Sequence, residues 1–408
     1  MSLNKIEAKV LSGKRLTSDD ALTLFQNDDI FTIGRLASYI ARKKNKNKVY
    51  FIRNHHINPT NICVNRCKFC AFSRSKGEKG AYELTIKEII KKLRAQESGD
   101  KRITGRLTSH ALRLTPLTSH GLSEVHIVGG LHPDWTFDFY LEMLRDVKKN
   151  FPDIHIKAFT AVEIDYFSKI SGLSLASVLA ALKNAGLGSM PGGGAEIFNS
   201  DVRNKICPEK ITGRRWLEIM EKAHSAGIKS NATMLYGHRE TYRHRVEHML
   251  KLRELQDKTG GFQAFIPLAF HPMNTELAVG DSGLGISNRM TSNPQTPKPQ
   301  SLSFQTPNPS RFTSGIDDIK TIAVSRIFLD NFPHIKAYWI MLGEKIAQLA
   351  LLFGADDLDG TVIEERITHS AGALSGSAMT KDELINLIQK ADKQPVERDS
   401  FYRPGASA

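Results

Sequence analysis

Residues 49–74 read VYFIRNHHINPTNICVNRCKFCAFSR. The first half is β-branched and aromatic and breaks at Asn58-Pro59-Thr60, so it reads as a strand. The second half is polar and reads as a loop before a helix that begins near Leu84. The loop carries Cys63, Cys67 and Cys70 in a C-x3-C-x2-C array with Phe69 immediately before the last thiol, and the only other cysteine is Cys207. His55 and His56 are adjacent within the strand signal, so only one of them can face inward.

Segments of the same apolar kind recur along the chain: EVHIVGGLHP, IHIKAFTAVEI, LGSMPGGGAEIF, IKSNATMLYGH, FQAFIPLAFHP, HIKAYWIML and ADDLDGTV. Helical patterns such as FDFYLEMLRDVKKNF and GRRWLEIMEKAHSAG separate them, and several stop at a glycine suited to a left-handed cap: Gly186, Gly227 and Gly260. Eight strand signals alternating with helices predict parallel β/α units closed into a TIM-type (β/α)8 barrel over residues 49–362. Residues 1–48 predict a helical N-terminal extension, and residues 363–408 a C-terminal segment packing on the barrel. Chemistry in such a barrel belongs at the carboxyl ends of the strands, where the cysteine loop falls.

Composition limits the classes that remain. The chain has 408 residues, 40% of them hydrophobic, enough for a large buried core. No apolar run reaches the roughly 18 residues a spanning helix needs; AYWIMLGEKIAQLALLFG is broken by Glu344, Lys345 and Gln348. The charged N-terminus lacks a signal-peptide core, and neighbouring thiols suit a reducing compartment, so the expected location is the cytoplasm, with no membrane partner. The net charge of +13 is concentrated: residues 101–120 carry four basic residues and no acid, and residues 280–315 carry three against Asp281. The second stretch is rich in Ser, Thr, Pro and Asn and reads as a disordered insertion; the first reads as an insertion that is either a short helix or a loop. With no aromatic stacking motif or recognised binding module beside this charge, no nucleic-acid partner is expected.

Three thiolates in one loop suit a shared inorganic centre. Structural zinc normally takes four ligands in two pairs, and no second pair is present. A four-iron cubane is usually held by four cysteines, so three from one loop leave one iron open to a substrate or cofactor. Cys207, alone in KICPEKI, reads as a small buried hydrophobe.

This array, after the first strand of a β/α barrel and with an aromatic before its third cysteine, resembles the radical S-adenosylmethionine enzymes. HHINPTNICVNRCKFCAFSR, EVHIVGGLHPDW, SMPGGGAEIFNSDVRNKICPEKI, SNATMLYGHRETY, GGFQAFIPLAFHP and GADDLDGTV resemble, within them, the menaquinone and deazaflavin biosynthesis branch and above all the aminofutalosine synthase family. Ser73 and LQDKTGGFQAFIPLAFHP favour that family over the sister cyclases.

The resemblance implies a [4Fe-4S] cluster on Cys63, Cys67 and Cys70 and S-adenosyl-L-methionine consumed as co-substrate. Its deoxyadenosyl radical would add to the chorismate-derived enol ether 3-[(1-carboxyvinyl)oxy]benzoate, and rearrangement with decarboxylation would give aminodeoxyfutalosine. An external electron donor such as flavodoxin or ferredoxin is implied. The rival outcome is hydrogen abstraction, as in a cyclase or a deazaflavin-forming synthase.

Individual residues follow on the same footing. Gly129 and Gly130 end the second strand, where the superfamily accepts the methionine ammonium group, and Phe69 belongs to the same cofactor site. PGGGAE, residues 191–196, lacks the GK[ST] ending of a phosphate loop; it suits close approach of the adenosine part, with Glu196 and Glu163 competing to bond the ribose. A dianionic substrate calls for guanidinium donors, and Arg74, Arg203, Arg239 and Arg326 are available. His132, His238 and His271 fall at predicted strand ends and complete the candidate substrate contacts. The catalytic group itself is left unassigned.

Overall fold

The computed structural model describes residues 2–97, 122–279 and 312–404. The expected insertion at 101–120 lies outside the described residues, as does the 280–311 part of the one expected at 280–315.

Ten strands occur among the described residues: β1 Lys48–Ile52, β2 Asn54–Ile57, β3 Glu124–Ile127, β4 His155–Ala158, β5 Ser189–Met190, β6 Lys229–Tyr236, β7 Phe262–Ala269, β8 His334–Ile335, β9 Asp357–Gly360 and β10 Gln394–Glu397. Strands β2 to β8 form one parallel sheet in sequence order, and β10, β1 and β9 form a second of three strands. Strands β2, β3 and β4 of the larger sheet alternate. Ile57, Val125, Ile127, Ile156 and Ala158 join the apolar core beneath the helices, while Asn54, His56, Glu124, His126 and Lys157 line the lumen.

The class is the expected α/β barrel, but closure differs from a regular eight-strand ladder. The opening strand signal is two strands: it turns at Arg53, giving β1 to the small sheet and β2 to the barrel. The last expected strand, β9, pairs with β1. Its chain then spans the gap by single parallel bridges, Lys336 to Asp357 beside β8 and His55 to Ile363 beside β2. Positive φ at Asp359 and Val362, 74° and 40°, prevents a continuous ladder here. Gly360 also lies so close to β1 that a Cβ would stand 2.1 Å from the carbonyl oxygen of Ile52.

Three helices, Leu3–Leu11, Ser18–Gln26 and Ile30–Asn45, precede the barrel. The third packs on helix Gly315–Phe328, which is buried from Asp318 to its end and so lies between this layer and the sheet. Helices Gly213–Ser225 and Tyr242–Thr259 end near Gly227 and Gly260, both at positive φ as the caps require. After β9 come helices Ile367–Ser370 and Lys381–Gln389 and then β10, which returns alongside β1 in parallel.

Candidate active site

The cysteine loop is fixed by backbone bonds at both ends. Cys63 N donates to Arg74 O at 3.0 Å and Arg74 N to Asn61 O at 2.8 Å, closing the loop on itself. Val64 N donates to Leu131 O at 3.0 Å and Lys68 N to Ile206 O at 2.8 Å, tying it to the ends of neighbouring units. Gly130 sets its height: a Cβ there would lie 2.2 Å from Ile62 O and 3.1 Å from Cys63 Cβ, so no larger residue lets the loop seat. Burial raises the thiol of Cys63 and pushes that of Cys67 to about 12.

All three thiols open onto a cavity of about 340 Å³ inside the barrel mouth. Phe69, Gly129, Gly130, Glu163, Glu196 and His271 line it too, so these sequence-predicted residues are brought together with Cys63, Cys67 and Cys70. Glu163 closes a capping box at the start of helix Ala161–Ser171, accepting from Thr160 N at 2.7 Å and Oγ1 at 2.8 Å, and it also accepts from Gly129 N at 3.3 Å. Burial pushes its carboxyl up to about 7 against those bonds. Glu196, at φ 46°, accepts from Lys210 Nζ at 2.6 Å, and the same ammonium lies 5.0 Å from the centroid of the Phe69 ring. His271 Nε2 reaches Met341 O at 2.9 Å, while its Nδ1 has no hydrogen-bond partner among the described residues.

Other predicted contacts lie elsewhere. Arg74 is outside the cavity lining, because its guanidinium donates to Ala71 O at 2.9 Å and Ser73 O at 2.8 Å and so braces the thiol loop from behind. His132 is buried away from the lumen, stacked on Trp135 with ring centroids 4.5 Å apart and 2.6 Å from Glu83 Oε2. His238 is fully buried behind the sheet end, with Nε2 3.0 Å from Leu235 O and Nδ1 accepting from Arg239 N at 2.6 Å. Arg203 binds the carbonyls of Ala195 and Ile197 under the glycine loop at 2.6 and 3.2 Å. Arg326 binds Gly354 O at 2.8 Å and the carboxylate of Asp356. Neither lines the cavity, and nor does Arg239.

Among the described residues the cations of the lumen are lysines instead. Lys157, Lys210 and Lys336 line it, with His56 and His126. Lys157 Nζ is 2.7 Å from Glu124 Oε2, and Lys336 pairs with Asp359. Burial alone would raise both acids, but Lys157 holds Glu124 below the usual carboxylate range and Lys336 holds Asp359 at about 2. The opposite wall is apolar, from Leu235, Ile266, Leu268 and Phe270. A signal for the missed residues exists in the period-two pattern: in EVHI and HIKA the polar side chains alternate with the apolar ones that pack outward.

Comparison with known proteins identifies this arrangement. Residues 111–252 match the Radical SAM superfamily, and residues 307–407 the CofH/MqnC C-terminal region. An aminodeoxyfutalosine synthase of Thermus thermophilus is 44% identical over 98% of this chain and 94% of its own length. The chain belongs to the radical S-adenosylmethionine superfamily. A second aminodeoxyfutalosine synthase, of Streptomyces coelicolor, is 40% identical over 98% of the chain and 92% of its own length. A 5-amino-6-(D-ribitylamino)uracil–L-tyrosine 4-hydroxyphenyl transferase of Methanococcoides burtonii is 38% identical over 95% of each chain. The fold is shared with the FeFe-hydrogenase maturase HydG of Carboxydothermus hydrogenoformans, at TM-score 0.67 and 16% identity over 98% of this chain and 80% of that one.

With aminodeoxyfutalosine synthases as full-length relatives the chain is a transferase, and superfamily membership implies a [4Fe-4S] cluster and S-adenosylmethionine. The residues present fit both. Three soft donors sit on one braced loop, no fourth cysteine lines the cavity, and the thiols face open space bounded by small glycines. No three His, Cys, Asp or Glu side chains among the described residues are grouped as for a single metal ion. Cys207 is buried and does not line the cavity. No described helix is long and apolar enough to cross a membrane.

Proposed function

We propose that the protein is an aminodeoxyfutalosine synthase. It joins the 5′-deoxyadenosyl group of S-adenosylmethionine to the enol-ether carbon of 3-[(1-carboxyvinyl)oxy]benzoate; rearrangement onto the ring and loss of the carboxylate then give 6-amino-6-deoxyfutalosine. The observation that carries this reading is the 44% identity to the Thermus enzyme over nearly all of both chains. The cavity is consistent with it, since an apolar wall of Leu235, Ile266, Leu268 and Phe270 opposite polar side chains suits an aromatic acid.

In this reading Cys63, Cys67 and Cys70 hold the cluster. When bound, the cluster supplies the electron, drawn from an external donor such as flavodoxin or ferredoxin, that splits the sulfonium. The backbone at Gly129 and Gly130 gives the methionine end room to approach, and Glu163 and Glu196 present carboxylates toward the same space. Phe69 and Lys210 cover the thiol side, and His271 with its unpartnered Nδ1 faces the substrate. Arg74, His132 and His238 act by position: Arg74 braces the loop, and the two histidines hold the ends of neighbouring strands. The apolar wall excludes water and fixes the alkene, so that addition is faster than side reactions.

The test is anaerobic cluster reconstitution, reduction, and mass analysis of the product with the enol ether. Adenosine carbon in the product is expected. The methanogen relative carries a second reading; free 5′-deoxyadenosine, formed in step with a product from tyrosine and the ribitylaminouracil, would establish that one in its place.

A further inference from the structure

The inward faces of β2, β3 and β4 set three side chains side by side, because His56 is in register with His126 and His126 with Lys157. His56 Nε2 and His126 Nδ1 are 3.3 Å apart and their rings meet edge-on at 4.5 Å. One imidazole therefore donates to the other. Nε2 of His126 has no hydrogen-bond partner among the described residues, and neither has Oδ1 of Asn58 nearby on the lumen wall. A buried polar atom left in this way is costly unless something else meets it.

The fixed charges around this row pair off, Glu163 excepted. Lys157 faces Glu124, Lys336 faces Asp359, Lys210 faces Glu196 and His369 faces Glu365; Glu163 has no cationic partner within salt-bridge distance among the described residues. The groups facing the two imidazoles are Glu124, Lys157, Asp359, Lys336 and Glu365, with His55 adjacent in the chain. A carboxylate entering this space meets no spare cation among the described residues and is repelled by the acids unless a proton arrives with it.

We propose that the His56–His126 pair, with Asn58 and Lys157, is the receptor for an aromatic carboxylate, and that binding this anion draws one proton from solvent onto the imidazole pair. The benzoate carboxylate enters as its anion, the pair becomes a shared imidazolium that donates to it, and the charge of this one carboxylate is balanced. Burial keeps both imidazoles neutral in the empty site, in line with this. The apolar wall opposite receives the ring. The proposal rests on the reading of the substrate as a benzoate, and it places that carboxylate at the strands rather than at the thiol loop.

Isothermal titration of the reconstituted, unreduced enzyme at pH 8, in buffers of different ionisation heat, measures the protons taken up. Three probes are used: the enol ether, 3-hydroxybenzoate and 3-hydroxybenzamide. Both acids should bind with uptake of about one proton, which the amide lacks, and their affinity should fall as pH rises. His126→Gln should abolish the uptake and weaken the acids by about tenfold or more, with little change for the amide. Acids that bind without proton uptake, acids that fail to bind, or an H126Q enzyme with undiminished uptake would each overturn the proposal. His56→Gln gives a second route to the same loss should H126Q be unstable, and wild-type uptake stands as evidence without either variant. If both acids bind with uptake but the enol ether is not turned over after reduction, the receptor stands and the synthase reading fails.

Discussion

Gly130 and the three thiols show how much of this site depends on single atoms. A methyl at Gly130 would meet the Ile62 carbonyl oxygen at 2.2 Å and its carbon at 2.7 Å, backbone atoms that cannot swing aside as a side-chain end could. Gly130→Ala should therefore cost about 1–3 kcal/mol by overpacking and lower bound iron per chain, read by chemical denaturation and iron assay. Cys63→Ala, Cys67→Ala and Cys70→Ala should each abolish the cluster absorbance and all turnover, while Cys207→Ala should keep iron near the wild-type level. Iron loss in the last variant would mean that the ligand set is wrong. The thiols were legible in the sequence because their spacing is local. The arginine candidates stay outside the cavity for a physical reason: the hydrogen bonds of the Arg74, Arg203 and Arg326 guanidinium groups go to carbonyls and carboxylates of the scaffold.

At the scale of elements, helices and strands were readable from period and caps, but not which strand joins which sheet. Arg53 turns one apolar run into two strands, a change with no signature in hydrophobicity. The period-two pattern puts the lumen lysines and histidines on the polar faces of their strands, but which face turns to the lumen is settled by the assembled sheet. A prediction belongs to the short helix Ile367–Ser370. His369 lies 3.2 Å from Glu365 Oε2 and, through that hydrogen bond, rises from 6.5 to about 9. The folded state thus binds a proton that the unfolded chain releases earlier. The stabilisation is complete below about pH 6.5 and fades as pH rises through 9. The melting temperatures of the wild type and His369→Gln should differ most in the acidic part of that window and converge above it. A gap that widens with pH would contradict this assignment.

Across the whole molecule the small sheet acts as a tie. Arg398, fully buried beside β10, reaches Asp357 Oδ2 on β9 at 2.8 Å, and the Tyr402 ring stacks on His334 of β8 at 3.7 Å. Removing one member of such a buried pair leaves a stranded charge, so Arg398→Met should destabilise by about 3–5 kcal/mol in urea unfolding. The double variant with Asp357→Asn should recover a good part of that loss; strict additivity would show the pair is not coupled. The sequence showed that a barrel was present, whereas this tie joins segments nearly a chain length apart and leaves no local pattern. It also bears on biogenesis. β1 emerges from the ribosome long before its partner β10, so the thiol loop is made well before the sheet beside it can close. Metal loading is therefore expected to follow synthesis of β10 rather than that of the cysteine loop.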